Sequence, residues 1–193
     1  NIDRLATEGI YFVNFFCVSP VCSPALASLL TGKIPSCHGV HDYINDGNLA
    51  PEDGGEELGQ TRVLRYLEGI TGYPDILAEH GYVCGRCGRW NLGDSLHPQI
   101  SSSFWYVHAM GGGPYYRAPM ILDGNVYRET SYVTHAITVE ATKFLEEYCW
   151  DPFYLNVHYT APHGPWAHDQ HPKKFVNRYG DCPARAIPFS TRC

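Results

Sequence analysis

The stretch VCSPALASLLTG, residues 21–32, sets a thiol, Cys22, two residues ahead of a proline and at the mouth of a short apolar run. Pro24 suits the first turn of a helix, where its missing N–H costs nothing, and Gly32 closes that helix. Cys22 then stands at a helix N-terminus. Free backbone N–H groups and the macrodipole favour negative charge there, on a thiolate or on a bound anion. Spacing excludes two familiar anion loops. A Walker A loop needs a glycine where this chain has Ala27, ahead of Gly32 and Lys33. A cysteine-phosphatase loop needs an arginine where this chain has Ser28. A buried structural cysteine is the plain alternative.

Other chemistry-bearing residues are weaker. Cys84 and Cys87 form a lone C-x-x-C with no second pair at zinc spacing, so small buried thiols near a strand end are expected. His163, His168 and His171 recur in one run, which reads as a surface loop after a strand. His108 precedes three glycines, and Tyr115 and Tyr116 follow them, placed either to line a sugar or aryl pocket or to cap the core edge.

The elements that must position these residues follow from pattern. Residues 2–8 read as a helix ending at Gly9, and IYFVNFFCV, residues 10–18, reads as a strand. INDGNLAPEDGGEELGQ reads as a solvated acidic loop. TGYPDILAEHGYVCGRCGRWNLG reads as a helix, a stop at Gly81, a strand and a loop. Asp123 and Gly124 mark a hairpin. Between Ser131 and Tyr148, the residues Val133, Ile137, Ala141, Phe144, Leu145 and Tyr148 fall on one helical face. PFYLNVHYT is the next strand. Helices alternating with strands predict an α/β fold, a mainly parallel sheet flanked by helices on both faces. Sites in such sheets gather beyond the carboxyl ends of the strands, so Cys22, Asn91 and His163 are expected on one rim.

Composition sets limits. Hydrophobic residues at 44% can form a sizeable core, and charged residues at 18% are too few for a disordered chain. Acidic residues outnumber basic ones, 20 to 14, which argues against nucleic acid or an anionic membrane as the main partner. No apolar run is long enough to span a bilayer. The eight cysteines do not settle a compartment. The first residues already read as a helix, and the last carry no domain stop, so a segment of a longer protein is expected.

Three ordered blocks then carry a resemblance. NIDRLATEGIYFVNFFCVSPVCSPALASLLTGKIPSCHGV resembles an opening signature of Cys-x-Pro-x-Arg, an apolar helix, Thr-Gly, then Pro and His-Gly-Val. GYVCGRCGRWNLG resembles a Gly-Lys-Trp-His-Leu-Gly block, and PFYLNVHYTAPHGPW a strand ending in Ala-Pro-His-x-Pro-Trp. All three belong to the sulfatase family of the alkaline-phosphatase superfamily, and they cover most of residues 1–166. The resemblance implies an alkaline-phosphatase-like fold, with residues 1–193 a partial sulfatase catalytic domain lacking its first strand and C-terminal part. It implies hydrolysis of a sulfate monoester by a formylglycine made from Cys22 by a formylglycine-generating enzyme. One hydroxyl of the hydrated aldehyde attacks sulfur, and the other loses a proton to expel sulfate, a step an unmodified thiol has no means to perform. Cys22, Arg89, Asn91 and His163 take the catalytic positions, and His108 lies in a block with a substrate-side polar residue. Ca²⁺ is the implied cofactor, Cys22 the one metal ligand that maps here, and most ligands lie outside the segment. The implied substrate is a small-molecule or carbohydrate sulfate ester, and related enzymes are secreted, periplasmic or lysosomal.

The chain departs from that pattern at three places. Leu26 replaces the arginine that braces the hydrated aldehyde and belongs to the modification signal. Arg89 replaces a lysine, and Asn91 replaces a histidine, which removes a proton donor at neutral pH. Two alternatives follow: a catalytically inactive homologue acting as a binding protein, or a phosphodiester or phosphonate monoester hydrolase using the same machinery.

Overall fold

A computed structural model describes residues 2–179, and Cys182 and Cys193 lie outside them. The helices are α1 (Ile2–Glu8), α2 (Cys22–Thr31), α3 (Pro35–His38), α4 (Tyr73–Glu79), α5 (Val133–Tyr148) and α6 (Lys173–Tyr179). The strands are β1 (Val83–Gly88), β2 (Phe104–His108), β3 (Ala118–Leu122), β4 (Asn125–Glu129) and β5 (Phe153–His158). They form one sheet in the order β4-β3-β2-β1-β5. β1 runs parallel to both β2 and β5, while β3 and β4 extend the sheet antiparallel. The sheet is thus mixed, parallel at β2-β1-β5, where a loop joins β1 to β2 and α5 leads into β5, and antiparallel where the hairpin extends it. Asp123 and Gly124 make that hairpin turn with positive φ, as a tight two-residue loop requires.

Side chains alternate across the sheet and build a core on each face. Trp105 and Val107 of β2 and Ile121 of β3 pack with Ala27 and Leu30 of α2. Tyr106 and Met120 point the other way, onto Val133, Ala136, Ile137 and Ala141 of α5. Phe144 of α5 closes the gap between Phe104 and Phe153. The apolar stripe read from the sequence is therefore the packed face of α5, apart from Leu145, which is exposed.

Two expectations are corrected. Residues 10–18 form no strand, and Ile10, Phe12, Phe15 and Phe16 are all exposed. A strand exists only within a ladder, and among the described residues nothing pairs with this run. The acidic segment is not simply solvated either. Leu49 and Asn48 are buried, and Gln60 Oε1 accepts from the Asn48 backbone at 2.9 Å, because the 3₁₀ turns at Pro51–Asp53 and Glu56–Leu58 fold the segment back on itself. Among the described residues no helix is long and apolar enough to cross a membrane.

Candidate active site

Helix α2 begins at Cys22 itself, and Val21 at the cap position offers no side-chain acceptor. The first-turn N–H groups are left to whatever lies in front of them. Cys22 is free and half-buried. β1 delivers the facing residues. Gly88, at φ 97, turns the chain at the strand end, where a Cβ would lie 2.0 Å from the His158 carbonyl oxygen. Only glycine permits that approach, and it lets the Arg89 N–H donate to the same oxygen at 2.7 Å.

Arg89 Nη2 then donates to the Cys22 sulfur at 3.3 Å. Asn91 Nδ2 reaches the sulfur at 3.6 Å and the Ser23 hydroxyl at 2.8 Å. Cys22, Arg89 and Asn91, distant in sequence, thus meet at one point. They line a cavity of about 290 Å³ with His158 and with Leu26 and Leu29 of α2. One wall is cationic and polar, the other aliphatic. Leu26 stands on the aliphatic wall and packs against the core.

The remaining predicted residues sit farther out. His163 is exposed in the loop after β5, its Nδ1 with the Gly164 carbonyl at 3.1 Å, and it makes no hydrogen bond to Cys22, Arg89 or Asn91. Its own carbonyl accepts from the Tyr115 hydroxyl at 2.6 Å. Tyr115 is buried and stacked on Tyr132, so it belongs to the core edge rather than to a pocket wall. His108 is 1% exposed and is not among the cavity residues. Its Nδ1 accepts from the Met110 N–H at 3.1 Å, and Nε2 is buried without a protein partner among the described residues. Burial, then the charges of Arg89 and Arg128, push its pKa down to about 3, so it is a neutral ring behind Arg89.

Cys84 and Cys87 are buried, free thiols of β1, and burial raises Cys87 to about 12. Neither has metal-ligating company: among the described residues no group of three His, Cys, Asp or Glu side chains could hold a metal ion. Such a segment does not by itself fit Ca²⁺, which takes six to eight oxygens.

Sequence reasoning missed two residues that the fold brings to this site. Arg86, inside β1, is 1% exposed. Its Nη2 donates to the Arg89 carbonyl at 3.2 Å and to His158 Nδ1 at 3.1 Å, and its guanidinium lies 4.7 Å from the Trp90 ring centroid. His158, the last residue of β5, lines the cavity. The available signal was a lone charge within VCGRCG and a histidine closing PFYLNVH.

Comparison with known proteins gives this geometry a family. The family model described as Sulfatase matches residues 1–191. The chain is 30% identical over 171 residues to an N-acetylglucosamine-6-O-sulfatase of Bacteroides thetaiotaomicron, covering 86% of this chain and 26% of that protein. It is 32% identical to human arylsulfatase G over 118 residues, 58% of this chain and 20% of that protein. Among solved structures, BT4656 in complex with its substrate D-glucosamine-2-N,6-O-disulfate superposes with a TM-score of 0.74 at 26% identity, over 94% of this chain and 32% of that one. A structure of Ps i-CgsB with k-i-k-neocarrahexaose, 23% identical, shares the fold with a TM-score of 0.71, over 94% of this chain and 43% of that one. The chain spans 26% and 20% of the length of those two curated relatives. With its match running almost end to end, the chain belongs to the sulfatase family.

Proposed function

We propose that residues 1–193 are part of a sulfatase catalytic domain and that the protein carrying them hydrolyses a sulfate monoester at position 22. The observation that carries this reading is the convergence on Cys22 of a helix N-terminus, the Arg89 guanidinium and the Asn91 amide. Family membership supports a formylglycine derived from Cys22 as the reacting group. As a hydrate, that group supplies one hydroxyl to attack sulfur and a second to release sulfate.

The side chains of this segment have definite tasks in that reaction. Arg89 stabilises negative charge growing on the transferred group, from a position that needs no rearrangement because its backbone is fixed to β5. Asn91 fixes Ser23 and offers its second N–H to an anionic oxygen, with no proton to give. Leu26 and the α2 wall exclude water from one side. His163 stays in the post-β5 loop, where the family pattern assigns it a sulfate contact but where it makes no hydrogen bond to Cys22, Arg89 or Asn91, and His108 backs Arg89 without adding charge. Further Ca²⁺ ligands belong to other parts of the protein. The carbohydrate ligands of the structural neighbours favour a sulfated sugar as substrate over a simple aryl ester.

The test is the mass of the tryptic peptide containing Cys22, read alongside hydrolysis of an aryl sulfate by the protein that carries this chain. An aldehyde at position 22 together with turnover is expected. Cys22→Ala is expected to lower turnover by about three orders of magnitude or more. An unmodified thiol with no sulfate release would establish the inactive homologue instead, and turnover confined to phosphate diesters would establish the phosphorus-directed alternative.

A further inference from the structure

Arg86 is an expensive residue. A guanidinium wholly enclosed in a sheet loses its hydration, and no carboxylate pairs with it among the described residues. Its Nε and Nη1 are buried without acceptors there. Burial brings its pKa down to about 10, still far above neutrality, so the charge persists. An aliphatic side chain at this strand position would fill the space without that cost. Three contacts define what the charge does: the face of Trp90, the Arg89 carbonyl and, facing the cavity side, His158 Nδ1.

Arginine has donors and no acceptor. In the contact at 3.1 Å, His158 Nδ1 must therefore be the acceptor, and the ring proton must sit on Nε2. The ring is also neutral, since burial first, then Arg86 and Arg89, take its pKa down to about 4. His158 lies on the cavity wall with Cys22, Arg89 and Asn91. Asn91 occupies the place where the family pattern carries a histidine, so the imidazole missing from the strand β1 loop reappears from the neighbouring strand.

Building on the sulfatase reading above, we propose that His158 is a sulfate-binding residue, its Nε2–H donating to an oxygen of the anion held over Cys22, and that Arg86 is the positioning residue that fixes this tautomer. His158 acts as a neutral hydrogen-bond donor. It transfers no proton, so its contribution is binding and charge stabilisation, alongside Arg89.

The experiment uses the complete protein labelled with ¹⁵N-histidine and inorganic sulfate as the probe. At neutral pH the His158 ring is expected to show an unprotonated Nδ1 and a protonated Nε2, with Nε2 shifting as sulfate is added. His158→Ala is expected to weaken sulfate binding about tenfold, and His158→Gln, which keeps a donor, to recover most of that loss. Arg86→Met is expected to mix the two tautomers, while Arg86→Lys, also a pure donor, keeps one. A proton on Nδ1 in the unaltered protein, or sulfate affinity indifferent to His158→Ala, overturns the proposal. None of these readouts requires turnover. A protein that binds sulfate through His158 but releases none from esters would overturn the sulfatase reading and leave this one standing.

Discussion

Arg89 carries the heaviest duty of any side chain described. It touches the Cys22 sulfur, its backbone is tied to His158, and its charge reaches His108. Its planar fork also reaches an anion in a way a lysine does not reproduce. Arg89→Met is expected to cut kcat/KM for an aryl sulfate by about 10²–10³-fold, the scale seen when one preorganised donor to a developing anion is lost. Arg89→Lys, which restores the residue of the family pattern, is expected to recover activity to within about tenfold of the parent, and steady-state kinetics on the two variants check the difference. Leu26 is a different kind of departure. It packs against the core as well as facing the cavity, so its replacement by arginine would trade packing for charge.

The β1–β5 pair is the frame on which Arg86, Arg89, Asn91 and His158 depend, and Gly88 is where that frame is tightest. A methyl group there would collide with the His158 backbone, so Gly88→Ala must either strain φ or part the strands. A loss of about 2 kcal/mol or more is expected from the midpoint of urea unfolding, with activity falling further because Arg89 moves with the strand end. Much of this frame was legible in the sequence. The helices at α1, α2, α4 and α5, strands β1 and β5 and the hairpin turn at Asp123 are written in local pattern and turn chemistry. Strand β2 was not read, although its FWYV run has the composition of one. The aromatic run at residues 10–18 failed for the opposite reason: its composition favours a strand, but pairing is a property of a partner. Cys22, Arg89 and Asn91 were legible because they belong to contiguous motifs. Arg86 and His158 were not, since their meaning arises only when β1 and β5 align Arg86 with Asn156 and Gly88 with His158, so that the arginine reaches the histidine on the diagonal.

The protein as a whole inherits a pH response from its buried rings. His108 and His158 are held neutral, at about 3 and about 4, against an ordinary value of 6.5. As pH falls below 6.5 the unfolded chain binds protons that these native rings refuse, so stability drops through the interval down to about 4 and the His158 contribution levels off below it. Each ring is expected to contribute up to about 1.4 kcal/mol per pH unit within that window. Thermal melts between about pH 7 and pH 5 check this, and His108→Gln is expected to flatten the slope. Tyr115 adds a mechanical property at the same scale. Its hydroxyl grips the His163 backbone, its own N–H is taken by Gln170, and its ring is stacked on Tyr132 at the start of α5. A single phenol therefore welds the glycine ribbon after β2 to the proline-flanked turn after β5. A ligand that presses on either loop must shift both, so the two move as one body.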